Sequence, residues 1–148
     1  MAATVTLYNN ALKEMAQGTI RFDGNTAMKL LLVAPGSGYT FSKAHTIKTD
    51  FTATGTEASG SGYTPGGNVV TFVAGSVTID SATNAINIAI PATSWSNSTV
   101  SAKAAILLTN TGNAATDKLV AYANFDATVS SSNSTFTVTF STPIKLQN

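Results

Sequence analysis

The segment Ser134–Phe140, STFTVTF, is the clearest β-strand signal in the chain. Its apolar residues Phe136, Val138 and Phe140 alternate with threonines. Because successive side chains of a strand point to opposite faces, this alternation predicts a strand with one face buried and the other in water.

Seven further segments show apolar strand patterns and are bounded by clusters of Gly, Asn, Ser or Asp. They are Thr4–Tyr8, Met28–Ala34, Asn68–Val73, Ser76–Asp80, Ile86–Ile90, Val100–Thr109 and Lys118–Asp126. Many short strands with frequent turn signals predict an all-β fold, an antiparallel β-sandwich of jelly-roll or Ig-like type with roughly eight to ten strands.

The stretch YNNALKEMAQG, residues 8–18, breaks this pattern and predicts one short N-terminal helix. Asn9 or Asn10 can cap its start, and Gly18 can end it. A helix of about two turns needs packing partners, so it acts either as a lid on its own sandwich or as an arm on another subunit. The residues expected at a subunit interface are Leu7, Tyr8, Leu12 and Met15.

The chain divides into an N-terminal strand and helix, residues 1–24, and a single β-sandwich domain, residues 25–148. A loop at about 42–67 is longer than loops usually are. Such a segment is either a functional excursion or an arm that a partner orders. Alternatively, its threonines and Phe51 form a poorly patterned strand.

The composition is unusual in its lack of charge. The 148 residues are 43% hydrophobic and only 10% charged, with a net charge of +1 and no cysteine, whereas charged residues make up roughly 25% of a typical soluble protein. Without a basic surface, nucleic acid is not an expected partner. The longest apolar stretch, Leu30–Pro35, is far shorter than the roughly 20 residues that span a bilayer, so no membrane association is expected.

The letters GSGYT occur twice, at residues 36–40 and 60–64, and the second copy continues into PGG. Neither copy has the spacing or the lysine of a phosphate-binding loop, so both are interpreted as turns. Their tyrosines Tyr39 and Tyr63, together with Trp95, either form a platform for stacking glycans or belong to the core, with the indole nitrogen of Trp95 bonded to backbone.

Catalytic groups are scarce. His45 is the only histidine, it is expected to be exposed, and no nucleophile motif accompanies it. The acidic residues are scattered singly, without a pattern that binds metal or divides acid and base roles. We therefore expect no enzyme activity, no cofactor and no metal site.

The order of several segments resembles that of small structural proteins from tailed bacteriophages. The segments are NTAMKLLLV (25–33), GYTF (38–41), SGSGYTPGGNVVT (59–71), TSWSNSTVSAKAAILLTNT (93–111), DKLVAYANFD (117–126) and STFTVTF (134–140). The likeness spans nearly all of the chain from Asn25 to Phe140, but the C-terminal FSTPIKLQN departs from the Trp and Gly-rich close of that group.

This resemblance implies a virion component, preferably a capsid decoration (cement) protein on the head surface, with the host cytoplasm as its location before assembly. The implied partners are the major capsid protein and further copies of the chain, as a homotrimer or a dimer. The alternative is a tail or fibre component, including a glycan-binding host-recognition module.

Overall fold

The computed structural model describes residues 3–147, which form an all-β, sandwich-like fold with 45% strand and 11% helix. The predicted all-β antiparallel class is confirmed. The helices are α1 Asn9–Ala16 and α2 Lys48–Thr52; the strands are β1 Thr4–Leu7, β2 Met28–Val33, β3 Gly60–Ser61, β4 Asn68–Val70, β5 Val77–Asp80, β6 Ala85–Ile88, β7 Thr93–Thr109, β8 Leu119–Ser130, β9 Ser134–Val138 and β10 Ile144–Gln147.

The long strand β7 organises both ends of the larger sheet. Its C-terminal half pairs with β2 and β8 in the order β1-β8-β7-β2-β4, and its N-terminal half pairs with β3 and β9. The smaller sheet has the order β10-β6-β5. Strands β1 and β10 are therefore outermost strands of different sheets.

The start of β7 differs from the prediction. The sequence placed Trp95 between strands and began the strand at Val100, but β7 begins at Thr93 and contains Trp95. Asn97 adopts a φ of 48°, and the pairing with β9 shifts register between Trp95 and Ser98. This bulge absorbs an extra residue, so Ser and Asn, which usually mark turns, lie within a continuous strand.

Strand β2 is buried on both faces. Leu30 and Leu32 belong to one hydrophobic cluster, the first core, which also contains Ile88 and Ile144 of the smaller sheet. Leu31 and Val33 point to the opposite face and belong to a second core. A strand covered on both sides shows a continuous apolar run instead of alternation, which is what the letters LLLV of residues 30–33 show.

Segment 42–67 provides much of the cover for the second core. Phe51, one turn inside α2, is 1% exposed and packs in that core. The following residues bond along β2, where the Ala34 N–H donates to the Thr56 carbonyl (3.0 Å) and the Ala58 N–H to the Leu32 carbonyl (2.8 Å). Phe51 lies in a helix, so the interpretation that places it in a poorly patterned strand is wrong at this residue, whereas Gly60–Ser61 of the same segment form the short strand β3.

Helix α1 lies where the sequence predicted it, but its N-cap is Tyr8, without a side-chain hydrogen bond, instead of Asn9 or Asn10. Gly18 follows the helix with a φ of 74°, as expected of a glycine that ends a helix. Ala11 is fully buried in the first core of its own chain. The helix therefore packs as a lid on its own sandwich.

Candidate assembly surfaces

The three aromatic residues considered for glycan stacking, Tyr39, Tyr63 and Trp95, are all buried. Trp95 packs against Tyr63 and Phe136 in the first core. Its indole nitrogen has no hydrogen-bond partner among residues 3–147, contrary to the expectation that it bonds to backbone. None of the three rings can serve as an exposed platform.

The second GSGYT copy is a structural turn whose tyrosine fastens the loop. The Tyr63 hydroxyl accepts the Leu32 N–H (3.0 Å) and donates to the Glu57 carboxylate (2.6 Å), which also accepts the Gly66 N–H (2.5 Å). At Gly67, with a φ of 83°, an added Cβ would lie 1.9 Å from the Leu30 carbonyl oxygen. Close packing on β2 therefore accounts for this glycine.

The tyrosine of the first copy joins a buried hydrogen-bonded chain. The Tyr39 hydroxyl lies 3.0 Å from that of Tyr8 and 2.8 Å from Nδ1 of His45. Burial raises the pKa of both tyrosines above the ordinary value, so both hydroxyls stay protonated. His45 is half-buried and bonded, not free in solvent as the sequence suggested.

Two ion pairs with buried carboxylates join distant parts of the chain. The Lys29 ammonium lies 3.8 Å from the carboxylate of Asp117, which is 1% exposed. The same carboxylate accepts the N–H of Thr111 (2.6 Å) and its hydroxyl (2.8 Å). These bonds hold the loop between β7 and β8 against β2.

The second ion pair connects α1 to Lys118, the residue before β8. The Lys118 ammonium donates to the Glu14 carboxylate (2.6 Å), and the Thr19 hydroxyl donates to the same carboxylate. The bond from Lys118 is the largest cause of a Glu14 pKa below the ordinary value, and that from Thr19 is the next. Glu14 therefore stabilises the folded chain in its ionised form.

We expect this contribution of Glu14 to be lost in acid. A carboxyl whose pKa is lower in the folded than in the unfolded chain stabilises fully above its unfolded pKa, about 4.3 for Glu, and loses that contribution as the pH falls through the folded pKa. Urea unfolding of the parent protein and Glu14→Gln should differ more at pH 6 than at pH 3. Lys118→Met should show the same convergence, and an equal difference at both pH values would contradict the assignment.

The described residues 3–147 contain no group of three or more His, Asp or Glu side chains placed to hold a metal ion. No helix in this range has the length and apolar character required to cross a bilayer.

The four residues predicted at a subunit interface lie in different places. Tyr8 is fully buried in the second core, so its assignment to an interface is corrected: its ring and hydroxyl pack against residues of its own chain. Met15 is half-buried against the first core. Leu7 and Leu12 are brought together in one groove, where Leu12 is 42% exposed.

This groove, the β1–β10 groove, runs between outermost strands of the two sheets. One wall is β1 from Val5 to Leu7, and the other is residues 142–145 at the start of β10. Two lysines, Lys43 and Lys145, line it together with Leu12, and no carboxylate does.

A second apolar surface lies on the smaller sheet. Ile79 of β5, Ile86 of β6 and Leu146 of β10 are cross-strand neighbours and share one face. Their partners in the adjacent row, Ile88 and Ile144, reach the first core, whereas Ile79 is 79% exposed. The apolar face of the smaller sheet is therefore buried at Ile88 and Ile144 and exposed to solvent at Ile79.

Comparison with family models, curated proteins and solved structures gave no match. Sequence signals for the assembly surfaces were weak. Alternation in VTID and TVTL identified strands, but no letter indicates that their outer edges are unpaired.

Proposed function

We propose that this protein is a non-enzymatic structural component of a phage virion that decorates the outer surface of the head and stabilises contacts between capsomers. The observation that carries the proposal is the combination of exposed aliphatic side chains with sheet edges that have no partner strand in the described part of the chain, on a sequence that has few charges.

The exposed aliphatic residues favour association with other proteins. Ile79 and Ile86 are 79% and 38% exposed and lie opposite each other on neighbouring strands of the smaller sheet. Contiguous apolar surface on a soluble domain commonly marks an interaction site. With only 10% charged residues, close contact requires the desolvation of few ions, which lowers the cost of burying a large surface.

In this proposal the partners are the major capsid protein and copies of the chain itself, as a trimer or a dimer. The protein resides on the capsid surface and, before assembly, in the host cytoplasm. The tail-fibre alternative with glycan recognition relied on exposed rings of Tyr39, Tyr63 and Trp95, and their burial removes that support.

The test is addition of fluorescently labelled protein to heads of the encoding phage that were assembled without it. We expect the label to co-sediment with heads up to a saturating number of copies and to raise the temperature at which the heads disrupt. Heads that already carry the protein serve as the control and should take up little label. Binding to tails that leaves heads bare would overturn the proposal.

A further inference from the structure

The outer edge of β1, which pairs with no strand among residues 3–147, faces the β1–β10 groove. The Tyr8 N–H donates to the Val120 carbonyl (3.1 Å). The register that places Thr6 opposite Tyr122 also places Tyr8 opposite Val120. Backbone bonding alternates along an antiparallel strand, so the even-numbered residues bond to β8. The N–H and C=O groups of Val5 and Leu7 therefore point away from β8.

Strand β10 also has an outer edge that faces the groove. The Ala89 N–H donates to the Ser76 carbonyl (2.8 Å), so the odd-numbered residues of β6 form the backbone hydrogen bonds to β5. The peptide groups of Ile86 and Ile88 therefore point to the other side of β6, toward β10. Their partners Leu146 and Ile144 therefore bond to β6, and the peptide groups of Lys145 point to the outer edge. Each wall of the groove thus carries backbone donors and acceptors that can pair with another strand.

The groove also has a definite charge. Lys43 has no ion pair among residues 3–147. Lys145 has one acidic partner in that range, the half-buried Asp80, at the long separation of 3.8 Å, and the Lys145 side chain is 43% exposed, so this pair contributes little. An occupant that matches the groove is an extended segment with apolar side chains and a carboxylate.

Strand β5 of this chain has these properties. Its sequence VTID carries two apolar residues on one face and ends at Asp80. Within the described range 3–147 it pairs with β6 alone, and Val77 and Ile79 are 39% and 79% exposed. An exposed, apolar edge strand without a lysine or a proline is suited to pairing with another chain.

We propose that β5 of one copy binds in the β1–β10 groove of the next copy by strand addition, with Asp80 near Lys43 and Lys145. The two surfaces are different patches of the chain, so the contact is heterologous and closes into a ring when the rotation between copies allows it. This inference deepens the self-association included in the proposed function. It concerns the free protein, so it is tested without heads.

The absence of cysteine makes selective cross-linking straightforward. One protein carries Leu12→Cys in the groove and a second carries Ile79→Cys on β5. When the two are mixed and treated with a short bis-maleimide, we expect predominantly groove-to-β5 links. Links formed only within the Ile79→Cys protein would indicate pairing of β5 with itself and would overturn the proposal.

Substitutions on each side of the contact test the same pairing. Val5→Pro removes an N–H that points into the groove and leaves the bonds to β8 intact, so it should weaken association about fivefold. Ile79→Lys should weaken it tenfold or more, whereas Val69→Lys, at a similarly exposed position of the other sheet, should leave it unchanged.

Association is measured by analytical ultracentrifugation, and folding of each variant by its thermal midpoint. The proposal is overturned if the parent protein is still monomeric at about 100 µM, because the dissociation constant of the contact would then exceed about 10⁻⁴ M. It is also overturned if folded Val5→Pro and Ile79→Lys proteins associate like the parent. A ring that forms in solution but does not bind heads would contradict only the proposed function.

Discussion

Phe51→Ala is expected to lower the free energy of unfolding by about 3–5 kcal/mol, the usual cost of truncating a buried phenylalanine. Phe51 is 1% exposed and packs edge-on against Tyr39, with ring centroids 5.1 Å apart. It anchors α2 over Leu31 and Val33 in the second core. Its loss opens a cavity between segment 42–67 and the large sheet.

Urea unfolding followed by tryptophan fluorescence measures the loss, and Thr54→Ala in the same segment is the control. Thr54 is exposed, so its substitution should change the unfolding free energy by less than about 0.5 kcal/mol. If Phe51→Ala were as mild as the control, segment 42–67 would not be a stable part of the isolated chain. That outcome would favour an arm ordered by a partner.

Asp117→Ala should be comparably damaging, at about 3–5 kcal/mol, because it removes one member of a buried ion pair. The substitution leaves the half-buried Lys29 without its counter-charge and Thr111 without the acceptor of two hydrogen bonds. Asp117→Asn retains an acceptor oxygen and should cost less than Asp117→Ala.

The control for the charge change is Asp126→Asn, an exposed aspartate at which asparagine tolerates the observed φ of 62°. A double-mutant cycle with Lys29→Met isolates the ion pair, and the two substitutions should be non-additive. Additive losses would indicate that Asp117 acts through Thr111 alone.

The site was harder to predict than the strands. Leu7 and Leu12 were selected from the sequence as interface residues, and both line the β1–β10 groove. Tyr8 lies between them, and its burial reflects the neighbours that the fold places beside it, including Tyr39, which is 31 residues away. Lys43 and Lys145 gave no signal, because a lysine near a groove has the same local sequence as a lysine in open solvent.

The sequence by itself determined the all-β class, the position of α1 and most of the strands, because alternation and turn residues act over a few neighbouring positions. Only the tertiary structure decided that Asn97 forms a bulge within β7 and that Phe51 belongs to a second covering layer. It also decided that β1, β5 and β10 each have one edge without a partner strand among residues 3–147. Each of these depends on which distant strand lies alongside, and that pairing is settled by the packing of the whole chain.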